Sequence, residues 1–277
     1  MSALARGGGH VTHYVIHGGV AGKQRMEVVA RACWPTTLTL LQRAGIREGL
    51  KCLDLGCGAG DVTFEIARLA GAKGHVVGID MDSVKVELAR ERAVKEGFGN
   101  IEFRQGNVFE WDDNSAYDLI YVRFLLTHLP GCERVILKLM RALRPGAALA
   151  LEDIEFQGYV SHPANSAHDR YVDLYREVVR RRGGDADIGP KLLAMFTGAG
   201  LRETKLQIVY PETAHHSGKQ ISLLTLVGIS EAVLAEKLIE ERELQEVTSE
   251  LERYTQDARS IICGPRIFQV CGRRASA

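Results

Sequence analysis

The segment with the clearest chemistry runs from Asp54 to Asp61, with glycines at 56, 58 and 60. Glycines at this spacing let the backbone turn tightly and approach a ligand with no Cβ in the way. An apolar run, Lys51–Leu55, leads in and a helical pattern over 61–70 leads out. Free N–H groups at the helix start therefore face whatever rests on the turn. A dinucleotide site asks for G-x-G-x-x-G, with the pyrophosphate on the helix end. Here the third glycine comes one residue early, and Asp61 occupies the dinucleotide position, where a carboxylate repels a pyrophosphate. Asp54, two residues before the first glycine, suits an ammonium such as that on the methionine arm of S-adenosylmethionine. Gly56, Cys57, Gly58 and Gly60 are the turn's candidate cofactor contacts.

Two more strand ends carry matching chemistry. Asp80 lies 20 residues after Gly60, where an acid accepts both hydroxyls of a ribose. Dinucleotide enzymes share that feature, and a helix cap is the plainer reading, although Asp82 or Ser83 makes the better cap. Met81 is apolar and flexible, fit to cover an adenine face. In Gly106-Asn107-Val108 the amide suits the adenine amino edge and the valine its ring face; Gly-Asn is also an ordinary turn. Arg123, ending a fourth run, suits a methionine carboxylate, an acidic substrate or a surface ion pair. His128 is the candidate general base, since imidazole titrates near neutrality; the alternative is a histidine packed under Leu129-Pro130. Asp153 is a second candidate acid or base, or a loop cap, and Tyr14 a candidate hydroxyl donor to the cofactor. His13 and His17 lack a helix signal and read as solvent-facing, and adjacent His215 and His216 face apart on an extended chain. No metal site is indicated.

These residues need a frame that brings strand ends together. Apolar runs at Lys51–Leu55, His75–Asp80, Ile101–Gln105, 119–122 and 147–152 alternate with helical patterns at 61–70, 83–96, 131–143 and 168–182. That rhythm predicts an α/β, doubly wound, mostly parallel sheet with both faces covered. Pro35 divides 24–45 into two expected helices. Further on, a helix over 191–199, a strand over 205–210, a long amphipathic stretch over 222–257 and a last strand over 267–271 are expected. The domain reading is an N-terminal helical lid (1–48), a cofactor-binding Rossmann-like core (49–155), and a remainder (156–277). That remainder completes the sheet and carries inserted helices as a substrate lid or dimer surface.

Composition narrows the partners. The chain has 277 residues, 45% apolar, with 35 basic against 35 acidic side chains, so charge suggests no nucleic acid. None of the six cysteines is in a CxxC pair, as expected of core cysteines in a reducing compartment. No leader pattern is visible and no run approaches the roughly 18 apolar residues of a membrane span. A cytoplasmic protein without membrane contact is expected, with a homodimer through the C-terminal helices as one option.

The motifs together resemble the class I S-adenosylmethionine-dependent methyltransferase family. LDLGCGAG (53–60) resembles its first motif, GIDMD (78–82) its acidic loop, and QGNVF (105–109) the loop after its third strand. Residues 117–130 and 143–153 resemble its fourth and fifth strands. The resemblance implies a seven-stranded sheet with one reversed strand, and S-adenosylmethionine at the strand carboxyl ends. It also implies methyl transfer to a small molecule, with O- or N-methylation expected. Asn107 stands where many members carry Asp. Tyr14 to Gly19 and Arg25 resemble a shorter pattern in small-molecule methyltransferases whose N-terminal segment folds over the cofactor. A non-catalytic S-adenosylmethionine-binding regulator stays open because of the 222–257 stretch; an NAD-type oxidoreductase is disfavoured by the glycine spacing.

Overall fold

The computed structural model describes residues 16, 19–211 and 216–276. Tyr14, His13, His17 and His215 lie outside the described residues. A first helix, α1 (Gly19–Ala44), precedes the alternating part: β1 (Lys51–Leu55), α2 (Asp61–Ala70), β2 (His75–Asp80), α3 (Ser83–Lys95), β3 (Ile101–Gln105), β4 (Tyr117–Arg123), α4 (Cys132–Ala142) and β5 (Leu143–Glu155). After it come β6 (Val160–His162), α5 (Ser166–Arg181), α6 (Leu192–Gly198), β7 (Arg202–Val209), α7 (His216–Ala235), α8 (Glu241–Gln256), β8 (Ile261–Cys263) and β9 (Arg266–Arg273).

The main sheet has the order β3-β2-β1-β4-β5-β9-β7. Its first five strands run parallel, and β9 is the reversed strand, antiparallel to both β5 and β7. The chain order reverses at β1, whose neighbours are β2 and β4, so a crevice opens where β1 and β4 end. Alternation along each strand decides what lies beneath that crevice. Leu53 and Leu55 face one side with Ile120, Val122 and the α4 residues Ile136 and Leu139. Cys52 faces the other side with Val62, Ile66, Leu119 and Tyr121. Asp54 shares the Cys52 side, and its partner there is Thr63 of α2.

Three expectations need correcting. Residues 19–44 form one helix with Pro35 inside it, not two. Cys33, Thr37, Leu40 and Leu41 are all buried, so packing on both sides of the proline outweighs its one missing donor. The 222–257 stretch is two helices, parted where Lys237 takes a left-handed φ of 53°. Only α8 of the two is markedly amphipathic; α7 is apolar and lies against α1, α5 and α8. Its segment Gly218–Ala235 is long and apolar enough to cross a membrane by length and composition, against the sequence-based expectation, and 56% of it is buried inside the protein. A small antiparallel pair, β6 with β8, was not foreseen; three-residue strands carry too little periodicity to read.

Candidate functional site

A cavity of about 790 Å³ opens over the carboxyl ends of the parallel strands. Its floor at one end is the glycine turn. Gly56 and Cys57 both donate backbone N–H to the Ile79 carbonyl, at 2.8 and 3.1 Å. Gly58 N–H donates to Asp80 Oδ2 at 2.8 Å, while Asp82 N–H donates to Asp80 Oδ1 at 2.9 Å. Asp80 thus braces the turn and lines the cavity at once. Each carboxylate oxygen keeps a second lone pair for a ribose hydroxyl. The capping alternative belongs to Asp82, which accepts from Val84 and Lys85 N–H. Gly60 ends the turn at φ 85°, and a Cβ there would stand 2.7 Å from Phe103 Cζ. The backbone can start α2 at this point only because residue 60 has no side chain.

Gly56, Cys57, Gly58 and Met81 line the cavity beside Asp80, and Gly106, Asn107 and Val108 continue that wall. Asn107 Oδ1 accepts from Phe109 N–H at 3.0 Å. With that oxygen engaged, the NH₂ end of the amide is the one available to a ring-nitrogen edge. Gly60 and Asp54 do not line the cavity. Asp54 lies beneath the turn, buried, and accepts from Thr63 Oγ1 at 2.6 Å. Burial pushes its carboxyl up to about 6, against the lowering effects of the Thr63 bond and Arg123. Asp61 does line the cavity, but Arg92 pairs with it at 3.0 Å. Its repulsion of a pyrophosphate is therefore weaker than the sequence suggests, and the glycine spacing carries that argument alone.

Arg123 lies deeper. Its Nη1 is buried, and among the described residues it has no hydrogen-bond partner. Nearby Tyr121, Cys33, Glu152 and Asp54 favour the charged form and outweigh the effect of burial. Glu152 is itself pinned by Thr37 Oγ1 and Gln269 Nε2, each at 2.6 Å, and by the Tyr121 hydroxyl. A buried guanidinium on a cavity wall with an unused donor calls for an anion. A carboxylate such as the one on the methionine arm of S-adenosylmethionine has the charge and the two oxygens to answer such a donor. Together the Cβ-free turn, Asp80 and Arg123 fit that cofactor.

Beyond Arg123 the chain turns sharply. Phe124 takes a left-handed φ of 51°, which is costly for an aromatic residue and typical of functional turns. The short helical turn Leu126–His128 follows. His128 is buried and lines the cavity. Burial, with Arg25 and Lys85 nearby, pushes its imidazole down to about 3, so the ring is neutral at pH 7. Asp153 does not line the cavity. It accepts from Thr127 N–H at 3.2 Å and Ile154 N–H at 2.9 Å. Asp185 clamps the same turn from outside through two bonds to Thr127, and a Cβ on Gly184 would stand 2.3 Å from the Thr127 carbonyl. The carboxyl thus acts on the base of the His128 turn.

Burial pushes Asp153 from its ordinary 3.8 up to about 7, against the lowering effect of its backbone bonds. Between those values the folded state holds a proton that the unfolded chain has lost. Its contribution to stability is therefore complete below pH 3.8 and is lost as pH rises through 7. Asp153→Asn removes that slope and leaves in place the opposite slopes of His128 and of His168 in α5, whose imidazoles burial pushes down to about 3 and about 4. Urea denaturation should show the variant gaining on the wild type as pH rises from about 5 to about 7.5. A constant difference would mean that Asp153 ionises at its ordinary value.

Several lining residues carried no assigned role in the sequence. Arg25 and Cys33 come from α1, Phe156 and Tyr159 follow β5, and Tyr175 and Thr225 come from α5 and α7. Arg25 Nε donates to Thr225 Oγ1 at 2.8 Å, across 200 residues of chain. No local pattern joins such positions; only Arg25 had a signal, through the N-terminal pattern.

Comparison with known proteins bears on the core. Residues 46–180 match a family model described as a methyltransferase domain. The matched stretch takes in just under half of the chain and includes the glycine turn, Asp80, Asn107 and Arg123. Over 131 residues the chain is 35% identical to the ubiquinone/menaquinone biosynthesis C-methyltransferase of Cronobacter sakazakii, covering 46% of this chain and 51% of that protein. Over 136 residues it is 30% identical to the demethylmenaquinone methyltransferase of Lactococcus lactis, covering 49% and 52%. The chain thus spans about half the length of these curated relatives. Among solved structures, a SAM-dependent methyltransferase from Aquifex aeolicus superposes with a TM-score of 0.55 at 16% identity, covering 93% of this chain and 100% of that one. Phosphoethanolamine N-methyltransferase 2 of Haemonchus contortus gives 0.57 at 15% identity, covering 91% and 57%. At these identities the structures speak for the methyltransferase fold alone.

Proposed function

We propose that the chain transfers a methyl group from S-adenosylmethionine to a carbon atom of a small hydroxylated aromatic acceptor. The observation that carries this is the continuity of one cavity from Asp80 and Asn107, past Arg123, to the aromatic wall of Phe124, Phe156, Tyr159 and Tyr175 around His128. One end suits a nucleoside and an amino-acid arm; the other suits a flat apolar ring. Carbon as the acceptor atom, in place of the expected oxygen or nitrogen, rests on the name of the Cronobacter relative, a C-methyltransferase of ubiquinone/menaquinone biosynthesis. The fold neighbours include an N-methyltransferase and do not decide between them.

Bound S-adenosylmethionine supplies a methyl carbon already activated by its sulfonium charge. The protein's share is to align that carbon with the acceptor, exclude water and move a proton. Arg25, Val29 and Cys33 of α1 line the cavity, which supports a lid role for that segment. In this reading His128, which lines the cavity, takes the acceptor's hydroxyl proton, and this leaves electron density on the ring carbon beside that oxygen. The new C–C bond forms as the C–S bond breaks. The displaced ring proton leaves to water and His128 returns its proton to the oxygen, so one proton is released per turnover.

Calorimetric titration should show S-adenosylhomocysteine binding and no NAD binding; the reverse sinks the methyltransferase reading. Labelled methyl donor offered to 1,4-naphthohydroquinone, catechol and an aryl amine should place label on ring carbon, read by mass spectrometry and NMR. Label confined to oxygen or nitrogen overturns the choice of carbon, and label on none of them favours a binding protein without turnover.

A further inference from the structure

The charges on the cavity wall divide by side. Its carboxylates, Asp61, Asp80 and Asp82, all belong to the glycine turn and the end of β2. The opposite wall is built by α1, α5, α7 and the ends of β5 and β9. Among its described residues Arg25 is the one that carries a full charge. It is fixed in place: its Nε donates to Thr225 Oγ1, and that hydroxyl donates in turn to the Ile221 carbonyl at 2.6 Å. This uses one of five guanidinium N–H groups. Arg25, like Lys85, is close enough to His128 to disfavour a positive charge there, and Arg25 favours the negative form of Tyr159. Arg123, by contrast, stands beside Asp54 and Glu152 under the glycine turn. The two arginines therefore serve different compartments.

A cation on an apolar, aromatic wall, with no ion pair among the described residues, is poorly solvated and gains most from an incoming anion. We propose that Arg25, held by Thr225, is the anion anchor of the acceptor compartment. The acceptor then carries an anionic oxygen, a carboxylate or a phenolate, that pairs with the Arg25 guanidinium across from His128. This inference rests on the methyl-transfer reading and adds charge selectivity to it. A neutral ring of equal shape leaves Arg25 uncompensated and binds more weakly.

The test uses the full chain saturated with S-adenosylhomocysteine. Two anionic probes, 2,5-dihydroxybenzoate for the carboxylate and 4-nitrophenolate for the phenolate, are compared by calorimetry with neutral 2,5-dihydroxybenzamide and 4-nitroanisole. The wild type should prefer at least one anionic probe over its neutral control by at least tenfold. Arg25→Gln should abolish the preference and change S-adenosylhomocysteine affinity less than threefold, while Arg25→Lys should keep part of the preference. Thr225→Val, which frees Arg25 without removing its charge, should weaken the preference and serves if Arg25→Gln does not fold. No preference in the wild type overturns the proposal, as does binding of no probe. A tenfold or greater loss of S-adenosylhomocysteine affinity in Arg25→Gln also overturns it, because Arg25 then serves the methionine carboxylate. Failure of the wild type to bind S-adenosylhomocysteine at all is a different result and removes the methyltransferase reading itself.

Discussion

Gly60→Val is expected to weaken S-adenosylhomocysteine binding at least a hundredfold and to lower the melting temperature by roughly 3–9 °C. Two costs add at this residue. A β-branched side chain at φ 85° is held in the left-handed region, worth about 1–2 kcal/mol. The new Cβ also meets Phe103 Cζ at 2.7 Å and Phe64 Cε2 at 3.1 Å, in a cluster that includes Val86 and Ala89. Overpacking of that kind costs about 1–3 kcal/mol. The tilted Phe64–Phe103 pair, with centroids 5.6 Å apart, has to open to admit the side chain. Relief comes most readily by shifting the start of α2, which moves the Gly58–Asp80 bond and the N–H groups above it. Gly99→Ala is the control: a Cβ there meets nothing within 4 Å, and its stability should stay within about 0.5 kcal/mol of the wild type. A Gly60→Val protein that binds S-adenosylhomocysteine within threefold of the wild type would take the turn out of the cofactor's path.

What could be read in advance follows from how far apart in the chain the cooperating residues lie. β1, β2 and β3 were legible to the residue because buried parallel strands are short apolar runs bounded by turn residues. Asp80, Met81 and Asn107 were legible as candidates for a similar reason: each lies at a strand's carboxyl end or within two residues of it, and reaches the cavity wall. Asp54 and Asp153 were placed on the cavity by proximity in sequence, yet alternation already argued otherwise. Leu53 and Leu55 take one face of β1, which sends Asp54 towards α2 and Thr63. In β5, Leu149 and Leu151 share the face of Asp153, which puts its carboxyl under the Leu126–His128 turn. Glu152 faces the opposite side, where Thr37 of α1 meets it. Of the proposed acceptor wall only Arg25 carried a signal, through the N-terminal pattern. Arg25, Phe156, Tyr175 and Thr225 come from four segments that only the tertiary fold brings together. Pro35 misled because its local cost is real, and only the burial of both flanking turns shows what offsets it.

His128→Ala should lower kcat by about two to three orders of magnitude and leave S-adenosylhomocysteine affinity within about threefold. The proposed role assigns the ring to the acceptor, so its loss should spare the cofactor end of the cavity. His128→Gln separates proton transfer from positioning: the amide can hydrogen-bond but cannot take a proton, so its kcat should fall nearly as far as that of the alanine variant. The pH profile carries a second, independent signature. In the free protein, burial with Arg25 and Lys85 holds the imidazole at about 3, well below its ordinary 6.5. The acid limb of kcat/KM, which reports the free protein, should therefore show no inflection near pH 6.5 and fall only below about pH 4. A base this weak cannot pull a proton from a neutral phenol unaided; the incoming acceptor has to change its surroundings. An anionic oxygen beside Arg25 offsets the positive charge that disfavours the imidazolium, and the His128 pKa rises on binding. The acid limb of kcat, which reports the complex, should therefore lie at higher pH than that of kcat/KM. Coincident limbs near 6.5, or a His128→Gln variant that keeps more than half of wild-type turnover, would reduce His128 to a packed side chain beneath the acceptor.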